Sequence, residues 1–319
     1  MRNTFVILLA ISLFGCTKNE LSEIGGTGLF EDLCIEIDNE TRNYHLYVPP
    51  NSNFSPIVLL FHGNRSNNNE LIGLTNARAP YNVWLEIAEE ENIIIAIPNG
   101  NEGVSNQRGW NDCREDASSN PESNDVLFIS TLLDTLIDNF RADANRVYTM
   151  GTSNGGHFSI RLAEELSDKI TAFAAVAASN PANSHCINSA TPISAMFING
   201  TMDPILPFEG GEIDSDRGEV ISTDETIAYW VAKNQTEVTP EITMFIDRDT
   251  DDNCTVESFL YSNGISNTEV VLYRVNDGGH TEPSIQERYS NIFKEIVGDQ
   301  NGDIEIADEV WEFFRNKSK

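Results

Sequence analysis

The chain has 319 residues, 40% of them hydrophobic, enough for one large mixed domain or two small ones. Its 50 acidic residues against 20 basic ones give a formal net charge of −30. A field of that sign repels phosphate backbones and anionic headgroups, so neither nucleic acid nor an anionic lipid surface is expected as a partner.

At the N-terminus, Arg2 precedes an apolar run from Phe5 to Phe14, then Gly15-Cys16. The run is too short to span a bilayer and has the layout of a secretory signal. Leu13-Phe14-Gly15-Cys16 resembles a bacterial lipobox, in which the cysteine becomes the acylated first residue of the mature chain. The expectation is a signal peptide over 1–15, a lipidated Cys16 with a flexible Gly-rich tether over 16–30, and one folded domain over 31–319. The chain would then sit at the bacterial outer membrane or cell surface, touching the membrane only through its lipid anchor. An ordinary cleaved signal, giving a periplasmic or secreted protein, is the alternative.

Residues 34–38 and 44–48 alternate in polarity around Asn39-Glu40 and predict an edge hairpin. Ile57–Phe61 and Ile93–Ile97 are continuous apolar runs, hence buried strands, with a helix between them near Tyr81–Glu90. A long polar loop, 98–124, follows. Val126, Phe128, Ile129, Leu132, Leu133, Leu136, Ile137 and Phe140 recur at helical spacing over 125–140. Strands at 146–150, 172–178 and 193–198 alternate with helices at 157–166 and 223–234. Further strands are expected near Ile242, near Phe259 and over 269–275, then a terminal helix over 304–316. Strands alternating with helices predict an α/β fold, a mostly parallel sheet with helices on both faces.

Four cysteines remain beyond Cys16: Cys34, Cys113, Cys186 and Cys254. An even number in an exported protein predicts two disulfides, with three possible pairings. None has metal-ligand spacing, and no metal site is expected. Cys113 and Cys186 both fall in loops leaving the carboxyl edge of the sheet. That pairs them and leaves Cys34 with Cys254. Asp299, Asn301 and Asp303 resemble the start of a calcium loop, but its twelfth position is Val310, so Asp303 is read instead as the cap of the last helix. Asp247, Asp249, Asp251 and Asp252 read as a solvated acidic run.

The most informative segment is Gly151-Thr152-Ser153-Asn154-Gly155-Gly156, a G-x-S-x-G between a strand and a helix. In that setting the serine occupies a tight turn with its hydroxyl above the sheet, and the glycines allow strand and helix to cross closely. No lysine follows at the P-loop position, which disfavours a phosphate-binding loop. A serine nucleophile needs a base, and the base needs an orienting acid. His280 follows the last strand in Asn276-Asp277-Gly278-Gly279-His280, at the edge where ligands bind. Asp203 leaves the preceding strand in Asn199-Gly200-Thr201-Met202-Asp203. The order Ser153, Asp203, His280 is that of α/β-hydrolases. The backbone N–H groups of Asn154 and Asn64 are the expected oxyanion donors, with His62 supporting that loop or lining the substrate site. Trp110, in the long loop over the active edge, is a candidate for stacking on a sugar or phenolic ring, or else a buried loop anchor.

Leu59-Leu60-Phe61-His62-Gly63, Ala96-Ile97-Pro98-Asn99-Gly100, Gly109-Trp110-Asn111, Ser153-Asn154-Gly155-Gly156, Asn199-Gly200-Thr201-Met202-Asp203 and Gly278-Gly279-His280 occur in order from about Tyr44 to Phe314. Together they resemble the polyhydroxybutyrate-depolymerase-like and feruloyl-esterase group, carbohydrate esterase family one. One departure is Thr281-Glu282-Pro283, where that group often carries Trp-Pro after the histidine. The resemblance implies a cofactor-free serine carboxylesterase acting on feruloyl or acetyl esters of plant polysaccharide. Its alternatives are a depolymerase of short aliphatic polyesters and a non-catalytic lipoprotein that holds glycan.

Overall fold

The computed structural model describes residues 26–319 except Asn76, Ser215 and Asp216. The expected signal peptide, Cys16 and most of the expected tether lie outside the described residues. The chain opens with an antiparallel hairpin, β1 (Gly28–Ile37) and β2 (Glu40–Val48). Asp38 and Asn39 turn it at positive φ, a region these two side chains tolerate. Residues 28–30 are therefore strand and not tether.

There follow β3 (Ile57–Phe61), α1 (Asn68–Leu71), α2 (Val83–Glu91) and β4 (Ile94–Pro98). The long loop contains a two-stranded ribbon, β5 (Asn101–Glu102) with β6 (Arg108–Gly109), too short to leave a polarity pattern. The predicted helix appears as α3 (Asp125–Phe140), capped by the Asn124 side chain and burying Phe128, Ile129, Leu132, Leu133 and Leu136. Next come β7 (Val147–Thr152), α4 (Asn154–Glu165), β8 (Ala172–Val176) and β9 (Ser194–Gly200). A second ribbon, β10 (Gly211–Glu212) with β11 (Glu219–Val220), precedes α5 (Thr223–Asn234), which starts at a reciprocal Ser222–Glu225 capping box. The chain closes with β12 (Glu241–Met244), β13 (Thr255–Tyr261), β14 (Val270–Asn276), α6 (Asn291–Val297) and α7 (Ile306–Phe314).

Ten strands form one sheet in the order β1-β2-β4-β3-β7-β8-β9-β14-β13-β12. From β4 through β14 the neighbours are parallel, and both edges are antiparallel. The inner strands are buried on both faces, which explains their unbroken apolar runs. On one face Phe128, Leu132, Phe158 and Trp230 of α3, α4 and α5 pack with Leu59, Phe61 and Phe173. On the other, Trp84 and Ile87 of α2 join Val310, Trp311 and Phe314 of α7 over Val58, Leu60 and Tyr148. This is the α/β-hydrolase fold. Strand order reverses at β3, which lies between β4 and β7, and such a reversal opens a crevice at the carboxyl ends of the strands.

The Cys113–Cys186 disulfide is present, with Cα atoms 5.2 Å apart. The expected Cys34–Cys254 pair is not. Cys254 is a free, buried thiol. Cys34 lies on edge strand β1 and Cys254 directly precedes β13, eight strand spacings away. At about 4.8 Å per strand that is roughly 40 Å, far beyond a disulfide's reach. Two readings of acidic residues also change. Asp252 is buried, accepts the Cys254 and Gly302 N–H groups and pairs with Arg288 at 3.3 Å. Asp303 does not cap α7; it accepts the N–H groups of Arg248 and Asp249 at 2.6 and 3.1 Å, tying two loops together.

Candidate active site

The carboxyl end of β7 runs straight into α4 through Ser153, whose φ is +56°. A non-glycine residue there is strained, and the surroundings must hold it. They do so by close backbone crossing. A Cβ at Gly151 would lie 2.3 Å from the Gly155 carbonyl, and one at Gly155 would lie 2.4 Å from the Phe61 oxygen. Only glycine at both positions lets β7, α4 and β3 meet. The turn is pinned by the Ser153 N–H donating to the Val176 carbonyl at 2.8 Å.

His280 and Asp203 come from loops after β14 and β9, which are parallel neighbours. The loops touch through Met202 N–H to the Gly278 carbonyl at 2.9 Å. A Cβ at Gly200 would collide with the Gly278 oxygen at 2.3 Å, so that glycine sets how closely they approach. The result is a hydrogen bond of 2.7 Å between His280 Nδ1 and Asp203 Oδ2. The Asp203 side chain is only 1% exposed. Its other oxygen accepts the Ile205 and Leu206 N–H groups at 2.7 and 2.8 Å, which fixes the carboxylate's rotation. Backbone bonds from Gly279 to Asp299 and from His280 to Val297 hold the histidine loop from behind. With Nδ1 engaged by Asp203, Nε2 is the ring nitrogen left outside that bond.

Ser153 and His280 line one cavity of about 400 Å³, together with Thr152, Gly63 and Asn64. The elbow serine and the carboxylate-oriented imidazole therefore face the same space. As the first residue of α4, Asn154 has an N–H with no acceptor inside its own helix, at the positive end of the helix dipole. Tyr81 and Tyr289 also line the cavity. Tyr81 bonds Thr152 beside the serine at 2.8 Å, and the Tyr289 hydroxyl donates to Glu282 at 2.6 Å.

Of the two roles expected for Trp110 and for His62, the structure fits the structural one and not the substrate contact. Trp110 is fully buried, stacks on Phe158 at 5.0 Å and 5°, and donates its indole N–H to the His62 carbonyl at 3.0 Å. His62 is also fully buried. Its Nδ1 donates to the Gly63 carbonyl at 2.7 Å and its Nε2 accepts the Gly100 N–H at 2.9 Å, joining the loops after β3 and β4. Both ring nitrogens are thus used, and burial lowers the His62 pKa to about 4, keeping the ring neutral. The packing that removes these rings from the cavity also shapes the loop carrying Asn64.

A further group was not legible in the sequence. The Asn154 side chain accepts the Trp110 N–H at 2.6 Å and donates to the Trp110 carbonyl at 3.0 Å and to Asp112 at 2.7 Å. Asp112 pairs in turn with Arg114 at 2.6 Å, and both are buried. Burial pushes the Asp112 carboxyl up, but the Arg114 charge and hydrogen bonds outweigh it and hold the pKa at about 2. The Cys113–Cys186 disulfide lies between these two residues. The loop over the elbow is thus clamped to the residue after Ser153.

Residues 36–204 match the family model described as "Putative esterase". A putative esterase, NocK, of Nocardia uniformis subsp. tsuyamanensis is 25% identical over 88% of this chain and 80% of its own length. Feruloyl esterase D of Neurospora crassa is 27% identical over 67% of this chain and 72% of its own. The bifunctional acetylxylan esterase/xylanase XynS20E of Neocallimastix patriciarum is 26% identical over 53% of this chain, but only 22% of that longer protein is spanned. The chain belongs to this esterase family and is a carboxylic ester hydrolase.

Proposed function

We propose that the protein is a serine carboxylesterase that removes feruloyl or acetyl groups from plant polysaccharide. The observation that carries the mechanism is the Asp203–His280 bond of 2.7 Å, with His280 opening onto the cavity that holds Ser153. Ser153 attacks the ester carbonyl, and His280 Nε2 accepts its proton. Asp203 keeps the Nδ1 proton in place and stabilises the imidazolium. The N–H groups of Asn154 and Asn64 receive the developing oxyanion; one such donor is commonly worth about a hundred- to a thousand-fold in rate. His280 then protonates the leaving alcohol, water enters, and the acyl-enzyme is hydrolysed. None of these steps calls on a metal or organic cofactor.

The polymer substrate is supported by the relatives named as feruloyl and acetylxylan esterases. The lipobox-like Leu13–Cys16 run supports anchoring at a bacterial surface, where such polymers are met. The test compares wild type with Ser153→Ala on methyl ferulate, acetylated xylan and a hydroxybutyrate oligomer. Hydrolysis of the first two, lost in the variant, is expected. Preference for the oligomer would make the protein a polyester depolymerase, and folded wild type without activity on any ester would refute the reading.

A further inference from the structure

The reactive cavity gathers arginines in an otherwise acidic molecule. The chain carries 20 basic residues against 50 acidic ones, yet three arginines, Arg65, Arg78 and Arg217, line the cavity against two carboxylates, Glu70 and Glu282. The carboxylates are engaged. Glu282 is buried and accepts the Tyr289 hydroxyl, and Glu70 accepts the Ser66 hydroxyl at 2.9 Å. Arg78 is paired with Glu287 at 3.4 Å.

The other two arginines are less well compensated. Among the described residues Arg65 makes no ion pair. Its backbone is fixed at positive φ by its N–H to the Arg108 carbonyl at 2.7 Å, directly after Asn64. Arg217 bonds the Asp214 carbonyl oxygen at 2.6 Å, but the Asp214 carboxylate is 3.6 Å away and 63% exposed. Arg114 in turn donates to the Arg217 carbonyl at 2.7 Å, so Arg217 is anchored to the clamp over the elbow. Burial lowers the Arg217 pKa and the positive charges of Arg114 and Arg65 lower it further, while Asp214 and Asp203 oppose this. Arg65 and Arg217 line the same cavity as Ser153, and a carboxylate bound there would meet guanidinium donors from both.

We infer that the preferred substrate is an ester bearing a carboxylate close to the scissile bond, held by Arg65 and Arg217. This rests on the esterase reading above and narrows it to acidic carriers, such as a uronic acid unit, or to acidic acyl groups. In a molecule of net charge −30 such a substrate is repelled at long range, so a local pair of arginines is what admits it. These residues set specificity and take no part in the proton transfers.

The test uses two matched pairs of esters. On the acyl side these are 4-nitrophenyl hydrogen adipate and 4-nitrophenyl methyl adipate; on the alcohol side, 4-acetoxybenzoate and methyl 4-acetoxybenzoate. The readout is the ratio of kcat/KM, anionic over neutral, compared between proteins so that intrinsic reactivity cancels. In Arg65→Gln/Arg217→Gln the ratio should fall about tenfold for one pair, and that pair shows which side of the ester carries the charge. Exposed Arg65→Gln alone should lower it part of the way, which guards against misfolding of the double variant. The remote charge control Arg315→Gln should keep the wild-type ratio. Ratios unmoved by the arginine changes, with hydrolysis still dependent on Ser153, would overturn the inference and leave the esterase reading standing. No Ser153-dependent hydrolysis of any of the four esters would overturn both.

Discussion

Replacing Asp112 by alanine tests whether the elbow is held by the buried clamp. The carboxylate lies 2.6 Å from Arg114 and 2.7 Å from the Asn154 amide, and the Asp112 and Arg114 side chains are 0% and 3% exposed. Removing one member of a buried ion pair strands the other, which costs about 3–5 kcal/mol. That is a large share of the roughly 5–15 kcal/mol by which a domain is stable. Asn154 keeps its two bonds to Trp110, so the elbow should loosen without being lost. A misaimed oxyanion donor then lowers kcat on the order of ten- to a hundredfold, with a smaller change in KM. Urea unfolding and steady-state hydrolysis of 4-nitrophenyl acetate measure the two effects. Adding Arg114→Met removes the stranded charge and should restore most of the stability but not kcat. A cost under about 1 kcal/mol with unchanged kcat would refute the clamp, because a buried pair cannot be lost so cheaply.

Three shorter expectations follow from the same structure. Trp110→Ala should cost about 3–5 kcal/mol, whereas Trp110→Phe should leave KM for methyl ferulate within about twofold; a large KM rise in the phenylalanine variant would restore the stacking role. Burial lowers His62 from 6.5 to about 4 and His157 to about 3, so the folded protein resists protons that the unfolded chain accepts. Their contribution is therefore complete above pH 6.5 and is lost as pH falls toward those values, about 3 kcal/mol for His62 alone. The stability gap between wild type and His62→Gln should narrow by that amount between pH 7 and pH 4, and a constant gap would count against the assignment. The Cys113–Cys186 bridge closes a 73-residue separation, so Cys113→Ser/Cys186→Ser should lose about 2–4 kcal/mol in urea unfolding, and no loss would show the loop held without it.

The central sheet and its helices were legible because periodicity survives tertiary packing there. Helix α3 runs from Asp125 to Phe140 as its apolar spacing predicts, and α5 from Thr223 to Asn234. The elbow was legible because G-x-S-x-G is a steric requirement written in two glycines. For Trp110 and His62 the sequence left two roles open, since a loop aromatic reads alike whether it faces solvent or Phe158. The Asp112–Asn154 contact, 42 residues apart in the chain, was not legible. The Cys34–Cys254 pairing failed because counting cysteines carries no information on which edge of a ten-stranded sheet each occupies. Arg65 and Arg217 were hidden for the same reason: 152 positions separate them, and only the fold brings both to the crevice.

The central claim is that Ser153 is the nucleophile. It is tested most directly by treating wild type and Ser153→Ala with a fluorophosphonate, then locating any adduct by peptide mass mapping. The account predicts one adduct per wild-type chain, on Ser153, with loss of ester hydrolysis in step with labelling and no adduct on the variant. Labelling elsewhere, or ester hydrolysis that persists in Ser153→Ala at the wild-type rate, would contradict it.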